Sequence, residues 1–267
     1  MKANINDILF PVIEIPAIGK FPKNKNYTQE DTKDTGYKFI MREDNGRILS
    51  CVTDNYQLVD NSMVFEKSDN IISKEGGILK EVESFGGGAR SIVKYEFGGH
   101  KVKIGKDDYC TPEIIWQNSY DATLGLNIIA GAFRLVCTNG MVIGIVAEKY
   151  RNKHSIYNME LKDIDGVIEE TITKTKRIMA EEFPVLHSTK VRDAHIVDIL
   201  KMFPITASDY ITSLLLAAKP SNLWDLINVA TNVATHGMDR KSESTHKLEA
   251  KIYSKVCKMA KVKPASA

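Results

Sequence analysis

The hydrophobic period changes once along this chain, and that single change limits the folds open to it. Up to about Ala147 the apolar runs are short and are cut by glycine pairs and turn residues. From Leu161 onward they recur at helical spacing, beginning with Leu161, Ile164, Ile168, Ile172, Thr175 and Met179. The first part therefore predicts strands. Tyr37–Met41 and Ile48–Val52 flank Asn45-Gly46, a dipeptide that supplies the positive φ angles of a hairpin turn. A short strand is expected at Tyr56–Val59. A helix capped by Asn61 or Ser62 should then run to about Ser73 and end at Gly76-Gly77. Further strands are expected at Ile78–Phe85, Ala89–Phe97, Lys101–Ile104, Glu113–Gln117, Thr123–Ala130, Phe133–Cys137 and Met141–Ala147. After the helix that starts near Leu161, others are expected at Val191–Phe203, Ser208–Ala218, Asn222–His236 and Ser242–Val262.

Strands in close succession, joined by tight turns, favour antiparallel pairing. The fold class expected is α+β, with a mostly antiparallel β-sheet core in the N-terminal half packed with a helical C-terminal third. Its parts are an extended N-terminal arm and loop (1–36), a β-rich core (37–160) and a helical region (161–267) packed on the same domain. Pro11 and Pro16 interrupt the apolar run from Ile8 to Ile18, which reads as an extended segment laid against the body.

A hydrophobic content of 43% and a charged content of 26% are those of a globular chain. No apolar run reaches the roughly 18 residues a membrane helix needs, and the first residues have no apolar export core. Neither a membrane nor export is expected. Cys51, Cys110, Cys137 and Cys257 lack paired spacing and read as reduced thiols, so the expected location is the cytoplasm.

The motifs of common chemistries fail on context. Phe85-Gly-Gly-Gly-Ala-Arg90 is followed by strand-like residues and has no Lys-Ser or Lys-Thr where a phosphate loop needs one. It reads as a glycine-rich connection between two strands. No CxxC, HExxH or HxH is present, and no GxSxG elbow, so neither a metal, a cofactor nor a catalytic residue is expected.

The C-terminal helix carries a more definite pattern. Lys247, Lys251, Lys255 and Lys258 share one face, and Leu248, Ile252, Val256 and Met259 follow one residue later, about 100° around the cylinder. An apolar stripe that must pack therefore lies beside a lysine stripe that must not. From Asp239 to Ala267 eight Lys/Arg stand against three Asp/Glu, a balance of +5 where the whole chain has +2, so its basic character belongs to this tail. The lysines are either the solvated edge of a docked helix or a contact for a polyanion.

Three segments are recognisable as an ordered set: Glu113-Ile-Ile-Trp-Gln-Asn-Ser-Tyr-Asp-Ala-Thr123, Phe133-Arg-Leu-Val-Cys-Thr-Asn-Gly140 and Arg151-Asn-Lys-His-Ser155. Around them stand Val52-Thr-Asp-Asn-Tyr-Gln-Leu-Val-Asp-Asn61 before a helix containing Phe65, Gly87-Gly-Ala-Arg90 before a strand, and Asn222-Leu-Trp-Asp-Leu-Ile-Asn-Val-Ala-Thr231 followed by His236. Together they resemble the phage/plasmid-like protein family, also known as domain of unknown function 932, over about Tyr37 to Met259. The chain departs from that family's expected pattern at Tyr120, where a histidine is expected, and at Ala122, where a glycine is expected. The resemblance implies a phage, prophage or plasmid setting and no particular reaction.

The function expected is a phage- or plasmid-type DNA-binding accessory protein, serving single-strand DNA recombination or replication and working without catalysis. Its partners would be single-stranded DNA and further copies of itself. The alternative is a non-enzymatic phage factor that binds a host protein. Arg90, Arg134, Arg151, Lys153 and His154 would supply phosphate contacts, Trp116 and Tyr120 base stacking, and Lys247, Lys251, Lys255 and Lys258 a second basic surface. The structural alternative puts Trp116 in the core, pairs Arg134 with a carboxylate and leaves the rest as surface charges.

Overall fold

The computed structural model describes residues 4–21, 31–105, 108–134, 139–146, 164–238 and 242–262. The protein is α+β. A three-stranded antiparallel sheet holds β1 (Val12–Phe21), β2 (Asp31–Arg42) and β3 (Ile48–Thr53) in that order. Helix α1 (Asn61–Lys74) follows, and then the main sheet of β4 (Ile78–Phe85), β5 (Arg90–Glu96), β6 (Val102–Gly105), β7 (Asp108–Ser119), β8 (Asn127–Arg134) and β9 (Asn139–Val146). Its order is β4-β5-β7-β8-β9, with β6 on the β5 side of β7, and every pairing is antiparallel. Among the described residues five helices follow: α2 (Ile164–Ser188), α3 (Asp193–Leu200), α4 (Ile205–Ala218), α5 (Leu223–His236) and α6 (Ser242–Met259). No helix among the described residues is long and apolar enough to cross a membrane.

Local chemistry accounts for most boundaries. Gly46 takes φ +70° in the β2–β3 turn, as Asn-Gly requires. Asp60, rather than Asn61 or Ser62, caps α1, its carboxylate accepting from Ser62 N at 2.8 Å. Asn222 caps α5 through Asp225 N at 2.8 Å, while Ser221 donates to the Asp225 carboxylate. Within the segment expected to be extended, Ile8 is a turn residue, and from Val12 onward the chain is the paired strand β1, with a register shift between Pro16 and Ile18.

Four strand expectations change. Tyr56–Val59 forms a single bridge and then irregular chain, with the Tyr56 hydroxyl and the Val59 carbonyl bonded to Ser119 and Asn118 instead of a strand partner. Glu113–Gln117 is the middle of a much longer β7. Thr123–Ala130 and Phe133–Cys137 are replaced by one strand, β8, which runs straight through Gly131; residues 135–138, Cys137 among them, lie outside the described residues.

The main sheet is covered on both faces. Val93, Tyr95, Ile114, Trp116 and Ile128 pack with Val64 and Ile72 of α1 and with Ile168 and Ile172 of α2. Ile92, Ile115 and Ile129 meet Ala250 of α6 on the opposite face. Strand β7 is therefore buried along nearly its whole length, Tyr109 excepted, which is why its sequence shows no polar–apolar alternation. A separate helical core gathers Phe183, Trp224, Tyr253 and Val256, with the two large rings of Phe183 and Trp224 4.6 Å apart.

Candidate nucleic-acid interface

The family-like turn after β7 is a buried junction. Asn118 leaves β7 on the α1 side, and its Nδ2 donates to Val59 O and to Asn61 Oδ1, both at 2.9 Å. Asn61 in turn donates from Nδ2 to Ile8 O at 3.1 Å and to Ser91 Oγ at 3.0 Å. The Tyr120 hydroxyl accepts from Asn61 N at 2.9 Å, and its ring lies 6.1 Å from that of Phe10. Tyr56 Oη donates to Ser119 O at 2.9 Å. One turn thus ties β5, α1 and the small sheet to β7. Burial keeps the hydroxyls of Tyr56 and Tyr120 far from ionisation, so both act as neutral hydrogen-bonding groups.

The two departures from the family pattern have structural meanings here. Tyr120 fills the position expected for histidine with a buried ring. Ala122 has φ +57°, the left-handed conformation that a glycine adopts freely and an alanine resists. Replacing Ala122 by Gly should remove about 1 kcal/mol of strain and return part of it to the freer unfolded chain. The expected result is a gain of about 0.5 kcal/mol in urea unfolding at constant m-value; a loss of stability would contradict this account.

Next to this turn the glycine connection joins β4 to β5 with Gly86, Gly87 and Gly88 all at positive φ. A Cβ on Gly88 would stand 2.4 Å from the Phe10 ring, and one on Gly87 2.2 Å from the Arg47 guanidinium. Arg42 lies 3.6 Å over the Phe10 ring and donates to Gly87 O at 3.2 Å. The glycines therefore admit side chains packed from the small sheet, and the strand-connection reading of this loop holds.

On the other face of the sheet a polar cluster lies under α6. Glu113 is 2% exposed, and its neighbour on β8 is Gly131, which brings no side chain. Burial pushes the Glu113 carboxyl up to about 7; Lys94 opposes this, while Glu96, Glu249 and Glu81 add to it. Lys94 is paired with Glu81 at 2.8 Å. His246 of α6 is held down at about 4, chiefly by burial and then by Lys94, and its Nδ1 accepts from Gln117 Nε2 at 3.0 Å. A carboxylic acid titrating near neutrality suits proton transfer, but Glu113 is 2% exposed, on the sheet face that α6 covers, and has no opening to a substrate.

The expected contact residues fall into four groups. Trp116 and Tyr120 are each 1% exposed, so neither ring face is open to a base, and the stacking role is corrected: both are core side chains. Arg90 is half-buried, with Nε 3.5 Å from Asp121. Arg134 pairs with Cys110 and Asn139 in the β8 register. Arg151, Lys153 and His154 lie outside the described residues. The α6 pattern is as the spacing requires. Leu248, Ile252 and Val256 are buried and Met259 packs beside them, while Lys247, Lys251 and Lys258 are exposed. Lys255 reaches Asp198 of α3 at 2.8 Å. That pairing holds the Asp198 carboxyl below its ordinary value.

Asn61 is expected only as a helix cap, whereas its part in the junction, and the cluster of Glu113, Lys94 and His246, have no local motif. Glu113 alone left a signal, as the one charge in an otherwise apolar strand centre. Among the described residues no group of three or more His, Cys, Asp or Glu side chains could hold a metal ion.

The family model described as "Domain of unknown function (DUF932)" matches residues 48–253. No solved structure matches the chain.

Proposed function

The chain belongs to the DUF932 family, whose description assigns no activity, and we propose from its surface that it is a DNA-binding accessory protein. In this reading it serves single-strand DNA recombination or replication in a phage or plasmid setting, and it acts by binding rather than by catalysis. The observation that carries the reading is the division of α6. Its apolar stripe is used against the helical core, and Lys251 and Lys258 on the neighbouring face form an exposed cationic edge. Lysines on a docked helix have their backbone already ordered, so a phosphate contact costs only side-chain freedom, and the release of condensed counterions drives such contacts. With Trp116 and Tyr120 buried, binding rests on charge more than on base stacking, and a steep salt dependence follows.

Filter binding of single- and double-stranded oligonucleotides across a salt series tests this. Affinity near micromolar at low salt should fall steeply as salt rises. Replacing Lys251 and Lys258 together by Ala should reduce the slope of log K against log salt by about 1.5, since each phosphate contact contributes roughly 0.7–0.9. The fold should be untouched, because both side chains are exposed. An absence of salt-dependent binding by the wild-type protein would retire the DNA reading. An unchanged slope in the double variant would move the contact elsewhere.

A further inference from the structure

The lysine edge of α6 is interrupted at its centre. Asp198, on the neighbouring α3, places Oδ2 2.8 Å from Lys255 Nζ and Oδ1 3.9 Å from Lys201 Nζ. One carboxylate thus sits between two ammonium groups, one from α6 and one from Lys201, the residue that caps the C-terminal end of α3. All three remain open to solvent, Lys201 at 72% and Asp198 and Lys255 at 41% each. Lys251 and Lys258 lie about one turn to either side of Lys255 on α6, roughly 6 and 5 Å along the helix axis. The row of cations on α6 therefore continues onto α3 through Lys201, and an anion already stands where the two helices meet.

We propose that Lys255 and Lys201 form a two-helix clasp for a DNA phosphate, and that Asp198 occupies this clasp as an internal competitor until a strand displaces it. The proposal rests on the DNA-binding reading above and adds to it a position for one phosphate, a second helix in the interface and a residue that sets the affinity. Two ammonium groups converging on one acceptor offer what a phosphate with two non-bridging oxygens requires. An exposed ion pair is worth little to the fold, so Asp198 can leave at small cost. A single free phosphate gains little by displacing it, because it makes no other contact. A nucleic-acid strand meets Lys251 and Lys258 in the same event, and those added contacts make displacement favourable. Asp198 thereby biases the edge against monomeric anions and towards extended strands carrying regularly spaced phosphates.

The test measures binding of a fluorescent oligothymidylate by the full chain, comparing wild type with Asp198→Asn, Lys255→Ala and the double variant across a salt series. Asp198→Asn should bind about 3- to 10-fold more tightly and show a steeper salt slope, as one blocked contact becomes available. In the Lys255→Ala background most of that gain should disappear, because the clasp has lost one arm. Thermal melts should stay within a degree or two of wild type, since these are surface charges. Wild-type binding that is salt-dependent but indifferent to Asp198→Asn would overturn the clasp and leave the DNA reading standing. A gain of equal size with and without Lys255 would also overturn it, by assigning the effect to net charge alone. Tighter binding of phosphatidylserine vesicles, with the same dependence on Asp198 and no response to oligonucleotide, would reassign the clasp to a membrane surface. No binding in wild type and no binding in Asp198→Asn would remove the DNA reading and the clasp together.

Discussion

Replacing Asn61 by alanine is expected to lower the unfolding free energy by about 3–4 kcal/mol, the largest effect of any single polar substitution considered. Its carboxamide donates to Ile8 O and Ser91 Oγ and accepts from Asn118 Nδ2, all in buried surroundings. Truncation removes three hydrogen bonds of about 1 kcal/mol net each and leaves Ile8 O without that donor in the interior. Because the three partners belong to the N-terminal segment, β5 and β7, their losses should be coupled rather than additive. Tyr120→Phe provides the comparison. It removes only the acceptor of Asn61 N and should cost about 1–2 kcal/mol. Urea denaturation of both variants checks the ranking. An Asn61→Ala loss below about 1 kcal/mol would mean that the junction is not what joins these elements.

The second large effect concerns pH. Glu113 in the folded protein titrates at about 7, against an ordinary 4.5. A raised carboxyl pKa means that the folded state holds its proton more tightly, so this contribution to stability is complete below 4.5 and is lost as pH rises through 7. The difference corresponds to about 3 kcal/mol. His246 acts in the opposite direction. Its pKa falls from 6.5 to about 4 on folding, so its contribution is complete above 6.5 and is lost as pH falls through 4. Protonation would also set an N–H at Nδ1 against the Gln117 amide that now donates to it. Wild-type stability from these two groups should therefore peak between about 4.5 and 6.5. In Glu113→Gln the loss above that window should disappear, and the optimum should move above pH 6.5. Urea midpoints at a series of pH values decide the matter: curves for variant and wild type that run parallel from pH 5 to 8 would exclude this role for Glu113.

The fold was legible wherever local pattern and final environment agree. The Asn45-Gly46 turn, the Gly76-Gly77 stop of α1 and the buried stripe of α6 follow directly from residue chemistry. Strands failed where tertiary context replaced local signals. Gly131 reads as a break but continues β8, because antiparallel pairing with Glu113 on one side and Val142 on the other holds it extended. Tyr56 and Val59 read as a strand but spend their polar groups on the turn after β7. The site divides along the same line. Helical spacing finds the α6 lysines, because one period determines both the buried and the exposed stripe. It cannot find Asp198, which reaches Lys255 across 57 residues of sequence, nor tell that Trp116 and Tyr120 face inward on a strand buried on both sides.

The separation between β7 and its cover also bears on the order of synthesis. Gln117 and His246 are partners 129 residues apart. At ordinary translation rates the ribosome needs on the order of ten seconds to pass from one to the other. Throughout that interval Ile92, Ile115 and Ile129 have no α6 against them, and Glu113 has no lid. The meander of β4, β5, β7 and β8 can pair as it emerges, so what waits is a formed sheet with one bare face. A ribosome that stalls before α6 would release a chain whose sticky, half-charged surface has no partner of its own, and such products should gather in the insoluble fraction or on chaperones. The helix that carries the lysine edge is thus also the element whose arrival ends the nascent chain's exposure to misassembly.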